Sequence, residues 1–211
     1  MSKEEFYQAI KELGIELTDI QKEQLEQFYN ILIEENKKIN LTRIVEKEDV
    51  YLKHFYDSLT IVKEIDLNKV ETLCDVGTGA GFPGIVLKIV YPNLKVTLVD
   101  SLLKRVKYLN ETIKKLNLKD IKAIHTRSED YQEQFDIVTA RAVANLEKLI
   151  GWCMHLVKKE GIFIAMKANV DDELNIDDKV FNKYHCKITK INKFILPKEN
   201  SNRALVLIKR K

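Results

Sequence analysis

The chain has 211 residues, 45% of them hydrophobic, with only seven glycines and three prolines, a globular composition with enough length for one good-sized core, which excludes a disordered or fibrous protein. The formal net charge of +3 conceals an asymmetry: residues 1–66 carry nine Lys/Arg against fifteen Asp/Glu, residues 67–178 sixteen against sixteen, and residues 179–211 ten against one. Such a C-terminal block is either solubilising charge or the footprint of a phosphate-rich partner. Cys74, Cys153 and Cys186 are odd in number, far apart and without metal-ligand spacing, so they predict free thiols in a reducing compartment and no metal site. No apolar run approaches the roughly 18 residues of a membrane span, and the N-terminus reads as an amphipathic helix rather than a signal; a cytoplasmic protein is expected.

Helical periodicity runs through 2–13 and 18–38, separated by Gly14, with Thr18 and Gln21 spaced as a capping box and Ile20, Leu25, Phe28, Ile31, Leu32 and Ile39 on the apolar stripe. A third helix is predicted from Glu48 to about Glu64, with Leu52, Phe55, Leu59 and Val62 on one face. These helices make a helical extension over 1–66. From Val70 onward strands and helices alternate. Strands are predicted at 71–76, 95–100, 121–126, 135–140 and 161–166, with helices near 85–91, 102–117 and 145–158; a partly helical 171–184 leads into a hairpin pair, 186–196 and 203–209. This predicts an α/β fold over 67–211: a Rossmann-like, seven-stranded, mostly parallel sheet closed by a C-terminal antiparallel hairpin, the architecture of class I S-adenosylmethionine-dependent methyltransferases.

The stretch Asp75–Gly84, DVGTGAGFPG, lies between the first strand and its helix. Gly77, Gly79 and Gly81 permit positive φ and could present N–H groups to a nucleotide-like ligand. Two frames fit. From Gly79 the letters spell a dinucleotide fingerprint, with Asp100 21 residues later for a ribose. From Asp75 they resemble motif I of the S-adenosylmethionine-dependent methyltransferases, where an acid at the strand end suits an ammonium; Asp75 could instead cap the loop, and Gly84 permit close helix packing.

Ligands of such sheets bind at the carboxyl ends of the strands. Asp100 stands there to take ribose hydroxyls or to cap the helix from Leu102, a task Ser101 could share; Ser128 and Glu129 follow the third strand, to read an adenine edge or to start a short helix. Arg141 ends the fourth strand in place of an amine-methylating Asp/Asn-Pro-Pro loop or a nucleophilic cysteine. Its fork suits a carboxylate, a phosphate or guanine O6/N7, or a structural ion pair, and Lys167 ends the fifth strand. Cations without an obvious base suit an acceptor that needs no deprotonation, such as guanine N7.

With Asn40-Leu41-Thr42, His54-Phe55-Tyr56-Asp57-Ser58-Leu59, the glycine loop, Val99-Asp100-Ser101 with Lys104-Arg105, Arg127-Ser128-Glu129, Ala140-Arg141-Ala142 and Lys167 in order, nearly the whole chain resembles the RsmG (GidB) family of bacterial 16S ribosomal RNA guanine-N7 methyltransferases. The resemblance implies S-adenosylmethionine as cofactor and 16S ribosomal RNA or the small ribosomal subunit as partner, with a monomeric enzyme and no membrane. Carried over, it implies cofactor contacts at Gly77, Gly79, Phe82, Asp100, Ser101, Ser128, Glu129 and Arg141, with Arg127, Arg141 and Lys167 as candidate catalytic cations. Asn40, His54, Asp57 and Ser58 would shape the substrate mouth; His54 and Asp57, three apart on one helix, could also pair with each other. Ala168 stands where several relatives have glycine. A methyltransferase acting on small molecules or protein, an NAD-dependent oxidoreductase using the Gly79 frame, and a non-catalytic RNA-binding module are the competing readings.

Overall fold

The computed structural model describes residues 1–211. Seven strands, β1 (Thr72–Val76), β2 (Lys95–Asp100), β3 (Ile121–His125), β4 (Phe135–Arg141), β5 (Val157–Lys167), β6 (Cys186–Ile195) and β7 (Asn202–Arg210), form one sheet in the order β3-β2-β1-β4-β5-β7-β6. The first five are parallel; β7 runs antiparallel to both β5 and β6. The order reverses between β1 and β4, which opens a crevice at their carboxyl ends. Val76 pairs with Ala140 there, so the residues that follow, Gly77 and Arg141, emerge side by side although 64 positions separate them.

Three helical segments precede the sheet: α1 (Lys3–Glu12), α2 (Asp19–Ile39) and a continuous segment, α3, over 47–63. Ser2 and Thr18 both close capping boxes, with Glu5 and Gln21 respectively. Within α3 the stretch Val50–Tyr56 is π-helical, and Val50, Tyr51, Leu52, Phe55, Tyr56, Asp57, Ser58 and Leu59 are all buried. The wider turn therefore puts more than one face inward, beyond the single stripe that a regular helix predicts. Ile20 departs the other way: in the first turn of α2, it is 70% exposed.

The remaining helices are α4 (Gly84–Val90), α5 (Leu103–Lys115), α6 (Leu146–Cys153) and α7 (Asp178–Lys183). Phe6, Phe28 and Phe55 from the N-terminal helices share one core with Ile85, Leu98 and Leu109, while α6 covers the opposite face through Leu149 and Ile150 against Val138 and Phe163. Each such side chain contributes about 1.5–3 kcal/mol on burial. No helix is long and apolar enough to cross a membrane.

The prediction of a helix over 145–158 fails at its end. α6 stops at Cys153, and β5 starts at Val157, four residues before the expected strand. A register shift opposite Gly161 lets Val157 pair with Phe135; a Cβ at Gly161 would lie 2.8 Å from the carbonyl oxygens of Phe135 and Asp136. The charged run Lys158-Lys159-Glu160 looks like a helix surface in sequence, but Lys158 is held in the strand by an ion pair to Asp136 at 2.8 Å.

Gln21 ties α2 to α4. Its Nε2 donates to the carbonyls of Ile89 and Val90, both at 2.9 Å, which would otherwise end α4 unpaired. Gln24 does the same for Leu116 after α5, at 2.9 Å. Gln21→Ala is expected to cost about 1–2 kcal/mol, read as a lower urea midpoint at unchanged slope, because a capping box and two part-buried acceptors are lost together.

Candidate active site

The glycine loop folds back onto β2. Gly77 and Thr78 donate their N–H groups to Val99 O at 2.8 and 3.2 Å, Gly79 to Asp100 Oδ2 at 3.0 Å, and Gly81 to Thr78 O at 2.9 Å. The expectation that these glycines offer N–H groups to a ligand is therefore corrected: Gly77 and Gly79 spend theirs on the end of β2, and Gly81 on the loop itself. What the glycines supply is conformation and closeness. Gly77 has φ +67°, and a Cβ there would fall 2.7 Å from Val143. Asp75 is fully buried; its Oδ2 accepts from Thr78 Oγ1 at 2.6 Å and from Gly84 N at 2.9 Å, while Oδ1 has no partner. Burial, partly opposed by these hydrogen bonds, pushes its pKa up to about 7. A carboxyl group seated on the first N–H of α4 fills the place where a pyrophosphate would bind, so the geometry disfavours the dinucleotide frame.

Beside the loop, a cleft of about 240 Å³ is lined by Gly77, Asp100, Ser101, Arg127, Ser128 and Glu129, among others. Asp100 is buried. Besides holding Gly79, it accepts from Leu102 N at 2.9 Å and faces Arg105 Nη1 at 3.4 Å, so it fixes the residue before α5 from the cleft wall without capping the helix itself. Ser128 is buried with its Oγ donating to Glu129 Oε2 at 2.9 Å, whereas Arg127 and Glu129 are exposed.

Across the 141–143 turn lies a larger cavity of about 400 Å³. At its wall Asp57 joins two arginines: Oδ2 accepts from Arg141 Nη1 at 2.9 Å and Oδ1 from Arg203 Nε at 3.0 Å. Arg141 Nη1 also donates to Lys53 O at 3.2 Å, and Nη2 stands 3.3 Å from His54 Nδ1. Two of the five guanidinium N–H groups, on Nε and Nη2, keep no protein acceptor. The His54 ring stacks on Phe82 with centroids 4.3 Å apart, and Arg141 lies over the same ring. Lys167 donates to Ala144 O and pairs with Glu173, each at 2.8 Å; Glu173 in turn accepts from Leu146 N at 2.6 Å.

Burial, with help from the Arg141 charge, lowers the His54 pKa to about 3. The imidazole is neutral, and the network assigns its proton to Nε2, which donates to Thr42 Oγ1 at 3.0 Å and leaves Nδ1 to accept from Arg141. A depressed histidine pKa contributes stability that is present above its unfolded value, near 6.5, and lost as pH falls toward 3. Between pH 7 and pH 5 the protein is expected to lose about 1–2 kcal/mol more than a His54→Gln variant, measured by urea unfolding at both pH values.

A family profile described as rRNA small subunit methyltransferase G (GidB) matches residues 21–203. Curated proteins named ribosomal RNA small subunit methyltransferase G from Bacillus pumilus and Bacillus subtilis are 47% and 46% identical, each aligned over 100% of this chain and 91% of its own length. The chain belongs to the rRNA small subunit methyltransferase G family.

Among solved structures, M. jannaschii TYW2 in complex with AdoMet shares the fold of this methyltransferase at TM-score 0.53 and 19% identity, over 68% of this chain and 71% of that one. The sheet is that of the class I enzymes, and S-adenosylmethionine is the cofactor of the family. The methyltransferase brings Arg141, Lys167, His54 and Asp57 to the larger cavity, and Gly77, Asp100, Ser101, Ser128 and Glu129 to or around the smaller cleft. Arg127 lines the smaller cleft, apart from the other two cations. Phe82 lines neither: it is 5% exposed, buried under His54 and against Phe28 at 5.2 Å, because the aromatic side chains of α2 and α3 close over it. Ser58 is buried too, its Oγ donating to His54 O at 2.5 Å. Asn40 is exposed in the left-handed conformation that ends α2, and this turn delivers Thr42 to His54. Sequence reasoning missed Arg203 and Phe194, which face each other across the β6–β7 ladder and line the larger cavity. Nothing local in the sequence marks them: Arg203 is one of two arginines in a basic hairpin, and only the ladder sets it opposite Phe194.

Proposed function

We propose that this enzyme transfers a methyl group from S-adenosylmethionine to N7 of one guanine in the 16S RNA of the small ribosomal subunit. The observation that carries the reading is that every side chain able to take a proton at the β4 end is already engaged: Asp57 by two arginines, Glu173 by Lys167, and the His54 lone pair by Arg141. An acceptor that must be deprotonated finds no base there. Guanine N7 carries a free lone pair and needs none.

The chain's residues fit the cofactor. A loop held at positive φ, with only the Gly77 carbonyl oxygen, at 3.9 Å, near where a Cβ of Gly79 would stand, lets a ligand lie against the backbone there, and the orphaned Asp75 Oδ1 puts unsatisfied polarity beneath it. When bound, S-adenosylmethionine supplies a methyl group on a sulfonium sulfur, which departs as a neutral thioether as the N7 lone pair forms the new bond. In this reading Gly77 and Gly79 shape the bed, Asp100 and Ser101 hold the ribose side, and Ser128 and Glu129 hold the adenine. Phe82 acts from beneath, by fixing His54 and Arg141. Arg141 stands at the boundary, where its two unpaired N–H groups can support guanine O6; a bidentate grip on O6 and N7 would block the attacking lone pair. Lys167 holds the Ala144 turn in place, Arg127 meets RNA phosphate from the cofactor side, and Asn40, His54, Asp57 and Ser58 build the substrate wall.

Residues 1–66 thus serve as an extension that completes the site of the 67–211 core, in a cytoplasmic, monomeric enzyme without membrane association. Incubation with methyl-labelled S-adenosylmethionine and small subunits lacking this modification tests the reading. Label is expected in the 16S RNA, with binding that weakens steeply as salt rises. Label in protein, or none, would contradict it.

A further inference from the structure

The larger cavity has features that cofactor binding does not use. At about 400 Å³ it has the size of a small-ligand site. Phe194, on β6, lines it with the Lys63 ammonium over the ring at 5.1 Å, and Arg203 stands directly opposite Phe194 on β7. Residues directly opposite in an antiparallel pair project from the same face of the sheet. An aromatic ring and a guanidinium are thereby delivered together to one wall.

Two arginines of that wall, Arg141 and Arg203, share the single carboxylate of Asp57. Lys53 is answered by Glu199 at 2.6 Å and Asp49 at 3.3 Å. The remaining cations, Arg141, Lys167 and Arg203, face only the carboxylates of Asp57 and Glu173. Arg203 uses Nε on Asp57 and Nη1 on Asn202 O at 2.8 Å, which leaves Nη2 without a protein acceptor. A partly buried guanidinium with unused donors beside an aromatic ring matches the chemistry of a nucleotide: a flat base and a phosphate.

We infer that this cavity receives the target nucleotide, extruded from the RNA, with Phe194 stacked against the guanine and Arg203 on its phosphate. The inference rests on the proposed reaction and adds the residues that seat its substrate. In an A-form helix N7 lies in a deep, narrow groove that cannot be brought against a cofactor held in the cleft across the 141–143 turn, so a pocket for the extruded base must adjoin that turn. The larger cavity does, through Arg141 and Ala142.

The test uses the full chain, unmodified small subunits and three variants. Phe194→Leu keeps apolar bulk but removes the aromatic face; it is expected to lower kcat/KM for subunits at least tenfold, while cofactor affinity by calorimetry and the thermal midpoint stay near wild type. Phe194→Trp is expected to restore activity. Arg203→Lys keeps the charge but loses the fork, and should raise KM for subunits. Wild-type kcat/KM in Phe194→Leu, or a loss of cofactor affinity in place of subunit affinity, would overturn the assignment while leaving the reaction intact. A wild-type enzyme that fails to label 16S RNA would remove both.

Discussion

Replacing Asp57 with alanine is expected to destabilise the protein by about 3 kcal/mol and to abolish methyl transfer. The carboxylate is 5% exposed and is the shared partner of Arg141 and Arg203, whose side chains are only 12% and 18% exposed. Removing it leaves two guanidinium groups facing each other with little water, and an unpaired buried charge is among the costliest single changes. The three residues come from α3, β4 and β7, so the loss should loosen the contact between the N-terminal helices and the end of the sheet. Urea unfolding measures the first effect. Coupling is the second check: Asp57→Ala combined with Arg203→Ala should cost clearly less than the sum of the single changes, because the double variant removes one of the stranded charges. Additive costs would mean that the triad is not a unit.

Arg141→Lys carries the second large effect, a fall of about a hundredfold in kcat/KM for small subunits. Lysine keeps the positive charge but cannot reach Asp57, Lys53 O and His54 together and still hold donors in a plane toward a ligand. The expected loss matches that of one preorganised donor at a reacting centre, about 2.7 kcal/mol. Steady-state methyl transfer reads it directly, with unfolding of the same variant showing how much is structural. Activity near wild type would mean that charge alone suffices at this position.

What the sequence discloses about this site follows from how local each feature is. DVGTGAGFPG is legible because strand, loop and helix lie next to one another in the chain, and the class of sheet is legible from the alternation that follows. The choice between its two frames is not legible in the loop alone; the C-terminal hairpin and the other motifs decide it, and the structure adds that Asp75 turns under the loop to hold Thr78 and Gly84. His54 and Asp57 are three residues apart and suggest a pair, yet the π-helical turn sends each to Arg141 instead. The end of α6 was misplaced because a register shift at Gly161, visible only against β4, decides where the strand begins. Phe194 and Arg203 were silent for the same reason: one aromatic and one arginine in a basic hairpin carry no signal until the ladder sets them opposite each other. Phe82 shows the limit of carrying a motif over residue by residue, because its neighbours come from α2 and α3 rather than from the loop.

The position of the transferred methyl group tests the central claim most directly. Small subunits lacking the modification would be incubated with the enzyme and S-adenosylmethionine, and their 16S RNA reduced and cleaved with aniline, which breaks the chain only at N7-methylguanosine. Scission at a single guanine, absent without enzyme and appearing about a hundredfold more slowly with Arg141→Lys, is the predicted result. Incorporated methyl groups that leave the RNA resistant to cleavage would place the transfer on another atom and contradict the base-free mechanism.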